Sequence, residues 1–309
     1  MPFGLSAQQR NLMFRQKYAD RLDEEPVTVN IGENDEPFLL RPMDPQSRPT
    51  KQEAVQAISL MKTSRDWQNL VPFLTGLRMS DRILKNDRWE WLIRRANDEA
   101  DALGVILECA KQSGRTGLKL DNNSVVQQLF FQLHRKAQRG DFQDPALSKA
   151  LGLTQAAVNL MESPEHGASK SSQDPRRNPT VIGVMLELHT ARALNAARAA
   201  GSPNAKDEGG VILAYALRLH GTWSKVNMKE PQTWREAEKL LRDNIPIYNG
   251  LRLALQLPTI AGDLANGKAL RNSLHNMKVL LLAAKKQAPS DVTARPPQGL
   301  EQANLLLVG

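Results

Sequence analysis

The residue types that most often bind metals or act as nucleophiles are sparse and scattered in this sequence. Cys109 is the single cysteine, and its helical spacing from Ile106 favours a buried structural thiol over a reactive one. The stretch SGRTG at 113–117 lacks the Gly-Lys-Ser/Thr of a phosphate loop, and the sequence contains no HExxH or GxSxG motif. We therefore predict no catalytic residue, no metal site and no cofactor, and so a protein that is not an enzyme. The histidines, no two of which lie within one helical turn, are His134, His166, His189, His220 and His275.

Basic side chains are the chemically distinctive feature of the sequence. Lys and Arg number 41 against 33 Asp and Glu, and the sequence pI is about 9.6. This surplus favours an acidic partner, either RNA or an anionic membrane surface, although a high pI also occurs without such a partner. Several of the cations precede predicted helix ends, where the helix dipole favours positive charge in any case. The candidate contacts with RNA or a partner protein are Trp91, Arg94, Arg95, Lys111, Arg115, Lys119, Arg135, Lys136, Arg139, Arg176, Arg177, Lys285 and Lys286.

The segment DRWEWLIRRA, residues 87–96, combines tryptophan with arginine. On a helix, Trp89 lies on the apolar face and is predicted to be core. Trp91 points almost the opposite way and is flanked by Arg94 and Arg95. Two interpretations of Trp91 stay open: it packs between neighbouring helices with the arginine stems beside it, or it stacks on a base or grips a partner.

The elements that must position these residues are predicted to be α-helices. Ala, Leu, Gln and Arg are frequent and aromatic residues make up 5% of the chain, which favours helices over sheets. A capping box, TKQE, begins at Thr50, and later helix pairs begin at Asp87 and Asp121, spaced 37 and 34 residues apart. This period predicts an all-α fold, an α-solenoid of antiparallel helix pairs, and the alternative is a non-repetitive helical bundle.

Composition divides the chain into five predicted segments. The alternation of Val27, Val29 and Ile31 within the first segment indicates a short strand or an extended arm. The segments are an extended N-terminal arm and possible targeting segment (1–49), a helix-pair repeat region (50–161), a flexible linker (162–178), a second helical region (179–287) and a Pro-rich tail (288–309). Helices of the second region are predicted at 179–200, 211–220, 233–242, 251–257 and 264–287.

The segment Trp89–Asp121 resembles a pentatricopeptide-type repeat. WLIRRA in its first helix and ADALGVILECAKQSG in its second are similar to the family pattern. Gly117–Asp121 occupies the closing turn, with Leu120 where the family usually has proline. The resemblance covers about two or three repeats within residues 50–161. Divergent proteins that look like this are common in mitochondrial gene expression, particularly in fungi.

The resemblance implies a structural component of a ribonucleoprotein, the mitochondrial ribosome, that contacts rRNA mostly through phosphates and also contacts neighbouring proteins. The alternative is a free mitochondrial RNA-binding factor for transcript processing, translation activation or respiratory-complex assembly, and a second alternative is a pure protein scaffold. Residues 1–22 hold four basic side chains and one acidic, which is typical of a transit peptide or of a basic arm, and we predict a location in the mitochondrial matrix. No apolar run approaches the roughly 20 residues that span a bilayer, so no transmembrane segment is predicted.

Overall fold

The computed structural model of the chain is predominantly helical, which confirms the predicted all-α class. The chain divides into two compact units, a smaller one of residues 1–83 with 115–117 and a larger one of residues 84–114 with 118–309. The structure describes residues 6–14, 16–31, 36–42, 50–80, 82–167, 174–202, 205–207, 210–223, 230–263, 266–292 and 295–307.

In the smaller unit, the strand predicted from apolar alternation is confirmed, and it pairs with a second strand in an antiparallel hairpin. Leu22, Val29 and Leu40 form a small core there. The segment predicted as an extended arm therefore contains a hairpin, because an alternating strand buries its apolar face best with a partner. The elements are α1 (Ala7–Phe14), a 3₁₀ turn (Gln16–Tyr18), α2 (Ala19–Glu24), β1 (Thr28–Ile31), β2 (Glu36–Leu39), α3 (Lys51–Ser59), α4 (Ser64–Gln68) and α5 (Leu70–Met79).

The capping box predicted at Thr50 is confirmed. The Thr50 hydroxyl accepts a hydrogen bond from Glu53 N at 3.1 Å, and the Glu53 carboxylate accepts one from Thr50 N. The sequence predicts a second helix that begins near Asp66, but a capping box between Thr63 and Asp66 begins α4 at Ser64. Accepting the backbone N–H of the capping threonine holds the pKa of each acid, Glu53 and Asp66, below its usual value. Pro72 falls in the first turn of α5, where its missing N–H removes no helical hydrogen bond.

Eleven α-helices follow along the rest of the described chain. They are α6 (Asn86–Glu99), α7 (Leu103–Lys111), α8 (Ser113–Thr116), α9 (Asn123–Arg139), α10 (Ala146–Met161), α11 (Pro179–Ala199), α12 (Val211–Trp223), α13 (Trp234–Ala254), α14 (Pro258–Ala261), α15 (Asn266–Lys286) and α16 (Gln298–Leu306), with 3₁₀ turns at Pro164–His166, Pro175–Arg177 and Ser290–Val292. In the larger unit α6 packs on α9 and α7 packs on α10, so corresponding helices of two predicted pairs adjoin. The solenoid itself stays a prediction, and residues 168–173 of the predicted flexible linker lie outside the described residues.

Two helix ends differ from the sequence prediction. The sequence predicts that the first helix of the pair at Asp87 ends at Ala96, but α6 continues to Glu99. The helix stops near Asp101, whose φ of 51° is left-handed, and Ala102 N donates to Ala96 O at 2.8 Å. This turn satisfies a carbonyl that the helix end would otherwise leave without a partner. At the start of α9, Asn122 caps the helix by accepting hydrogen bonds from the first turn, whereas the sequence assigned that role to Asp121.

The helix α13 is continuous where the sequence predicts one helix that ends at 242 and another that starts at 251. Pro246 lies inside it, at a cost of about 3 kcal/mol in an isolated helix. Burial of both neighbouring side chains, Ile245 and Ile247, offsets that cost. α13 packs closely on α11: a Cβ at Gly250 would lie 2.8 Å from Gly183 O, so this crossing requires glycine.

The segment predicted as a Pro-rich tail contains α16, which packs on α13. Leu300 and Leu307 are buried in the core of the larger unit. The Glu238 carboxylate accepts hydrogen bonds from Gly299 N at 2.8 Å and Leu300 N at 3.1 Å. The helix α16 is therefore anchored at both its apolar face and its N-terminus, by residues that are distant in sequence.

Candidate nucleic-acid interface

One side of α6 carries three of the predicted contact residues. Trp91 is half-buried and Arg94 is exposed, whereas Trp89 is buried in the core as predicted. The guanidinium carbon of Arg95 lies 5.9 Å from the centroid of the Trp91 ring, and Arg95 Nη1 lies 3.3 Å from Glu99 Oε1. Trp91 is thus an aromatic ring with one arginine over it and another close by. Such a set is chemically able to stack on a base and to bind a phosphate.

Arg135 on α9 is buried inside the larger unit. Its Nη1 donates to Asp98 Oδ1 at 2.7 Å, and its Nη2 donates to Glu301 Oε2 at 2.8 Å. Nη1 also donates to Gln132 Oε1. The side chain therefore joins three helices, α6, α9 and α16, and its charge is matched by acids of the same chain.

Two neighbouring cations behave in a similar way. Lys136 is buried and pairs with Asp101, and Arg139 donates to Asp98 and to Asn97 O. Three cations face three acids, so this group leaves little surplus charge for a phosphate. We call the six residues the paired cluster: Arg135, Lys136, Arg139, Asp98, Asp101 and Glu301.

The other predicted contacts differ in their surroundings. Arg176 donates to Asp174, and this guanidinium holds the pKa of Asp174 below its usual value. Lys285 is half-buried, and Arg115, which belongs to the smaller unit, is exposed. Five of the predicted contacts are exposed cations of the larger unit that lie outside the paired cluster. We call them the exposed basic group: Arg94, Lys111, Lys119, Arg177 and Lys286.

A buried chain of hydrogen bonds connects four helices, and sequence reasoning missed it. His134 Nδ1 lies 2.6 Å from Glu187 Oε2, and Glu187 Oε1 accepts from Asn249 Nδ2 at 2.5 Å. Asn249 Oδ1 accepts from Arg252, and His134 Nε2 lies 3.1 Å from Gln302 Oε1. The side chains of His134 and Glu187 have no exposed surface, so this pair cannot meet a substrate. Its chemistry is to hold α9, α11, α13 and α16 together.

The sequence does carry one signal for this chain of hydrogen bonds. Glu187 is the only charged residue in VIGVMLEL, residues 181–188, and an acid within so apolar a helix requires a buried partner. The sequence does not predict which residue that partner is, because His134 and Asn249 lie on other helices more than 50 residues away.

The structure bears on the remaining chemistry as well. Cys109 is buried, and burial raises the pKa of its thiol to about 12, which confirms the predicted structural thiol. Across the described residues, no three His, Cys, Asp or Glu side chains cluster in a way that would hold a metal. Of the helices that the structure describes, none has both the length and the hydropathy needed to cross a membrane.

Comparison with known proteins gives two matches. A family model for mitochondrial ribosomal protein mS27 matches residues 1–305. The small ribosomal subunit protein mS27 of Neurospora crassa is 26% identical over 235 residues, which cover 72% of this chain and 59% of that protein. The chain therefore spans about 59% of the length of this curated relative.

Proposed function

Because the chain belongs to the mitochondrial ribosomal protein mS27 family, we propose that it is a non-enzymatic structural component of the small subunit of the mitochondrial ribosome, located in the matrix. The observation that carries this proposal is the extent of the family match, which runs over residues 1–305. The Neurospora crassa relative carries the name of a small-subunit protein. A structural role also agrees with the chemistry of the described residues, whose most reactive-looking pair is fully buried.

We propose that rRNA is contacted mostly through phosphates. The exposed basic group supplies cations on several helices, and such contacts fix a protein on RNA without reading sequence. Trp91 with Arg95 over its ring adds a platform for an unpaired base. The paired cluster takes no part in this surface, because its cations already have acidic partners.

Neighbouring ribosomal proteins are the second class of partner in this proposal. The larger unit exposes apolar side chains that its own core leaves in solvent, among them Val279 at 56% and Leu305 at 48% exposure. Each of these side chains offers apolar surface that a partner protein would remove from water.

Sedimentation of a mitochondrial lysate on a sucrose gradient tests the proposal. A tagged chain is expected to co-migrate stoichiometrically with the small ribosomal subunit and to stay with it in high salt, because apolar contacts with proteins are not screened. Recovery of the protein in the top fractions would contradict the proposal. A free RNA-binding factor would instead leave the subunit as the salt concentration rises.

A matched pair of variants tests the rRNA contacts. Reversing two charges of the exposed basic group, Arg94→Glu with Lys119→Glu, is expected to lower occupancy of the subunit. The control reverses two exposed lysines outside that group, Lys239→Glu with Lys268→Glu. If both double variants occupy the small subunit to the same extent, the exposed basic group does not contact rRNA.

A further inference from the structure

An open cavity of about 680 Å³ lies between the second half of α11 and the beginning of α12. Its volume is in the range of sites that hold a nucleotide-sized molecule. Much of its wall is apolar and made of short side chains, so the space is not filled from within. The apolar wall residues are Ala193, Ala196, Ala197, Ala200, Val211 and Ile212.

Two cations stand on the lining of this cavity. Arg192 and Lys206 are exposed, and among the described residues neither has an ion-pair partner. The acid of the lining, Asp207, is directed elsewhere: its two carboxylate oxygens accept from Ile212 N at 2.9 Å and Leu213 N at 2.8 Å. The cavity therefore offers its open cations to an anion while its acid holds the first turn of α12.

One aromatic side chain contributes to the cavity wall. His189 belongs to the lining, and its ring stacks on Tyr215 with centroids 5.7 Å apart. Burial, and then the nearby charge of Arg192, lowers the pKa of His189, so its ring is neutral at pH 7. Its Nε2 has no hydrogen-bond partner among the described residues. This nitrogen is enclosed by protein, so the ring takes part in the cavity wall through its carbon face rather than as a hydrogen-bond donor or acceptor.

We propose that this cavity binds one unpaired nucleotide of a single-stranded RNA segment. The base lies against the alanine wall of α11 beside the ring of His189, and the adjoining phosphates contact Arg192 and Lys206. The combination of an apolar wall, a planar aromatic side chain and two open cations matches single-stranded RNA better than duplex RNA, whose bases are not free. The choice of RNA as the ligand rests on the proposed function.

Fluorescence anisotropy of the full chain with a single-stranded RNA of about 12 nucleotides tests the site. The double variant Arg192→Ala/Lys206→Ala is expected to bind roughly tenfold more weakly. The slope of log affinity against log salt is expected to become shallower by about 1.4, since each phosphate contact on single strands contributes about 0.7. The matched control, Lys239→Ala/Lys268→Ala, removes the same charge elsewhere and is expected to change neither quantity. Equal losses in the two double variants would overturn the site.

A second variant separates the cavity from its charge. Ala196→Phe places a ring on the exposed wall and should leave folding intact because Ala196 is exposed. Weaker RNA binding with an unchanged salt slope is expected, since the base is displaced and the cations remain. Wild-type affinity for this variant would contradict a base in the cavity. Competition by polyglutamate as effective as that by RNA would also overturn the proposal, because it would indicate an acidic peptide as the ligand.

The outcomes distinguish this site from the proposed function. Suppose that the chain co-migrates with the small subunit and that Arg192→Ala/Lys206→Ala binds RNA with wild-type affinity. This result would support the proposed function and contradict the cavity site. Suppose instead that the wild-type chain stays at the top of the gradient while its RNA binding depends on Arg192 and Lys206. This result would support the cavity site and contradict the ribosomal role.

Discussion

Arg135 and Arg94 lie in two regions of the larger unit, and residue type alone does not distinguish their roles. Arg135 is buried in the paired cluster, where Asp98 and Glu301 accept its hydrogen bonds, and Arg94 is exposed on α6. Residue type alone predicts that both contact RNA or a partner protein. The difference teaches that an arginine becomes a structural or a surface residue according to whether distant acids reach it. Glu301, for example, is 166 positions from Arg135.

The two regions also differ in how charge affects stability. A buried ion pair is costly to desolvate, and removal of one partner leaves the other with no match. An exposed cation contributes little to stability but attracts a charged partner over a distance. We therefore expect substitutions in the paired cluster to lower the free energy of unfolding. Substitutions in the exposed basic group are expected to weaken RNA binding.

The largest expected effect is at Glu187, whose side chain is fully buried in the larger unit. Glu187→Ala removes the acceptor shared by His134 and Asn249 and should lower the free energy of unfolding by about 3–5 kcal/mol, measured by urea denaturation. Replacing the exposed Asp291 by Ala is the control and should change it by less than about 0.5 kcal/mol. Equal losses in these two variants would show that the buried chain of hydrogen bonds does not hold the helices together.

The anchoring of α16 is tested next by two leucines of the same helix. Leu300 is buried, and Leu300→Ala should cost about 2–5 kcal/mol. Leu305 is 48% exposed, and Leu305→Ala should cost less than about 0.5 kcal/mol. Thermal and urea unfolding of the two variants compare them directly. If both substitutions have similarly small effects, packing of α16 contributes little to stability. That result would support the Pro-rich tail that the sequence predicts.

The contrast between Arg135 and Arg94 is tested by the same substitution at both positions. Arg135→Ala should cost about 1.5–3 kcal/mol, because hydrogen bonds to charged groups are lost. Arg94→Ala should change the free energy of unfolding by less than about 0.5 kcal/mol and should weaken RNA binding. A stable Arg135→Ala protein with weakened RNA binding would reverse the assignment of the two regions.

The smallest effect concerns pH and Asp243. Burial raises the pKa of this carboxyl above its usual value, and Arg242 offsets only part of the shift. The folded state therefore keeps its proton to a higher pH than the unfolded state, so this group favours folding at low pH and the benefit is lost as pH rises through the folded pKa. Urea unfolding from about pH 4 to pH 7 should show wild type losing stability relative to Asp243→Asn. The opposite trend would mean that Arg242 dominates.

Local signals in the sequence predicted much of the helical architecture. The box at Thr50, the cap and proline at Asn178-Pro179 and the threonine cap at Thr233 each lie where a helix begins. These starts are legible because the capping side chain and its backbone partners lie within three residues of each other. The continuity of α13 through Pro246 was not legible, since it depends on packing against other helices.

The candidate interface was predictable only as a set of basic and aromatic residues. Residue type identified Trp91 and Arg94, which remain proposed contacts, and equally identified Arg135, whose charge is matched inside the chain. The cavity beside Arg192 and Lys206 gave no sequence signal, because alanines leave a space only when two helices are placed around them. His189 likewise has nothing in its sequence neighbourhood that indicates an unpartnered nitrogen.

The sequence by itself determined the helical class, the main helix starts, the buried thiol of Cys109 and the surplus of positive charge, since these depend on composition and on neighbours within a few positions. Tertiary structure alone decided which cations are neutralised, which helices the buried Glu187 joins and where a cavity opens. The physical reason is distance along the chain. Ion pairs, buried hydrogen bonds and cavities form between helices that are tens to hundreds of residues apart, and local pattern carries no record of those partners.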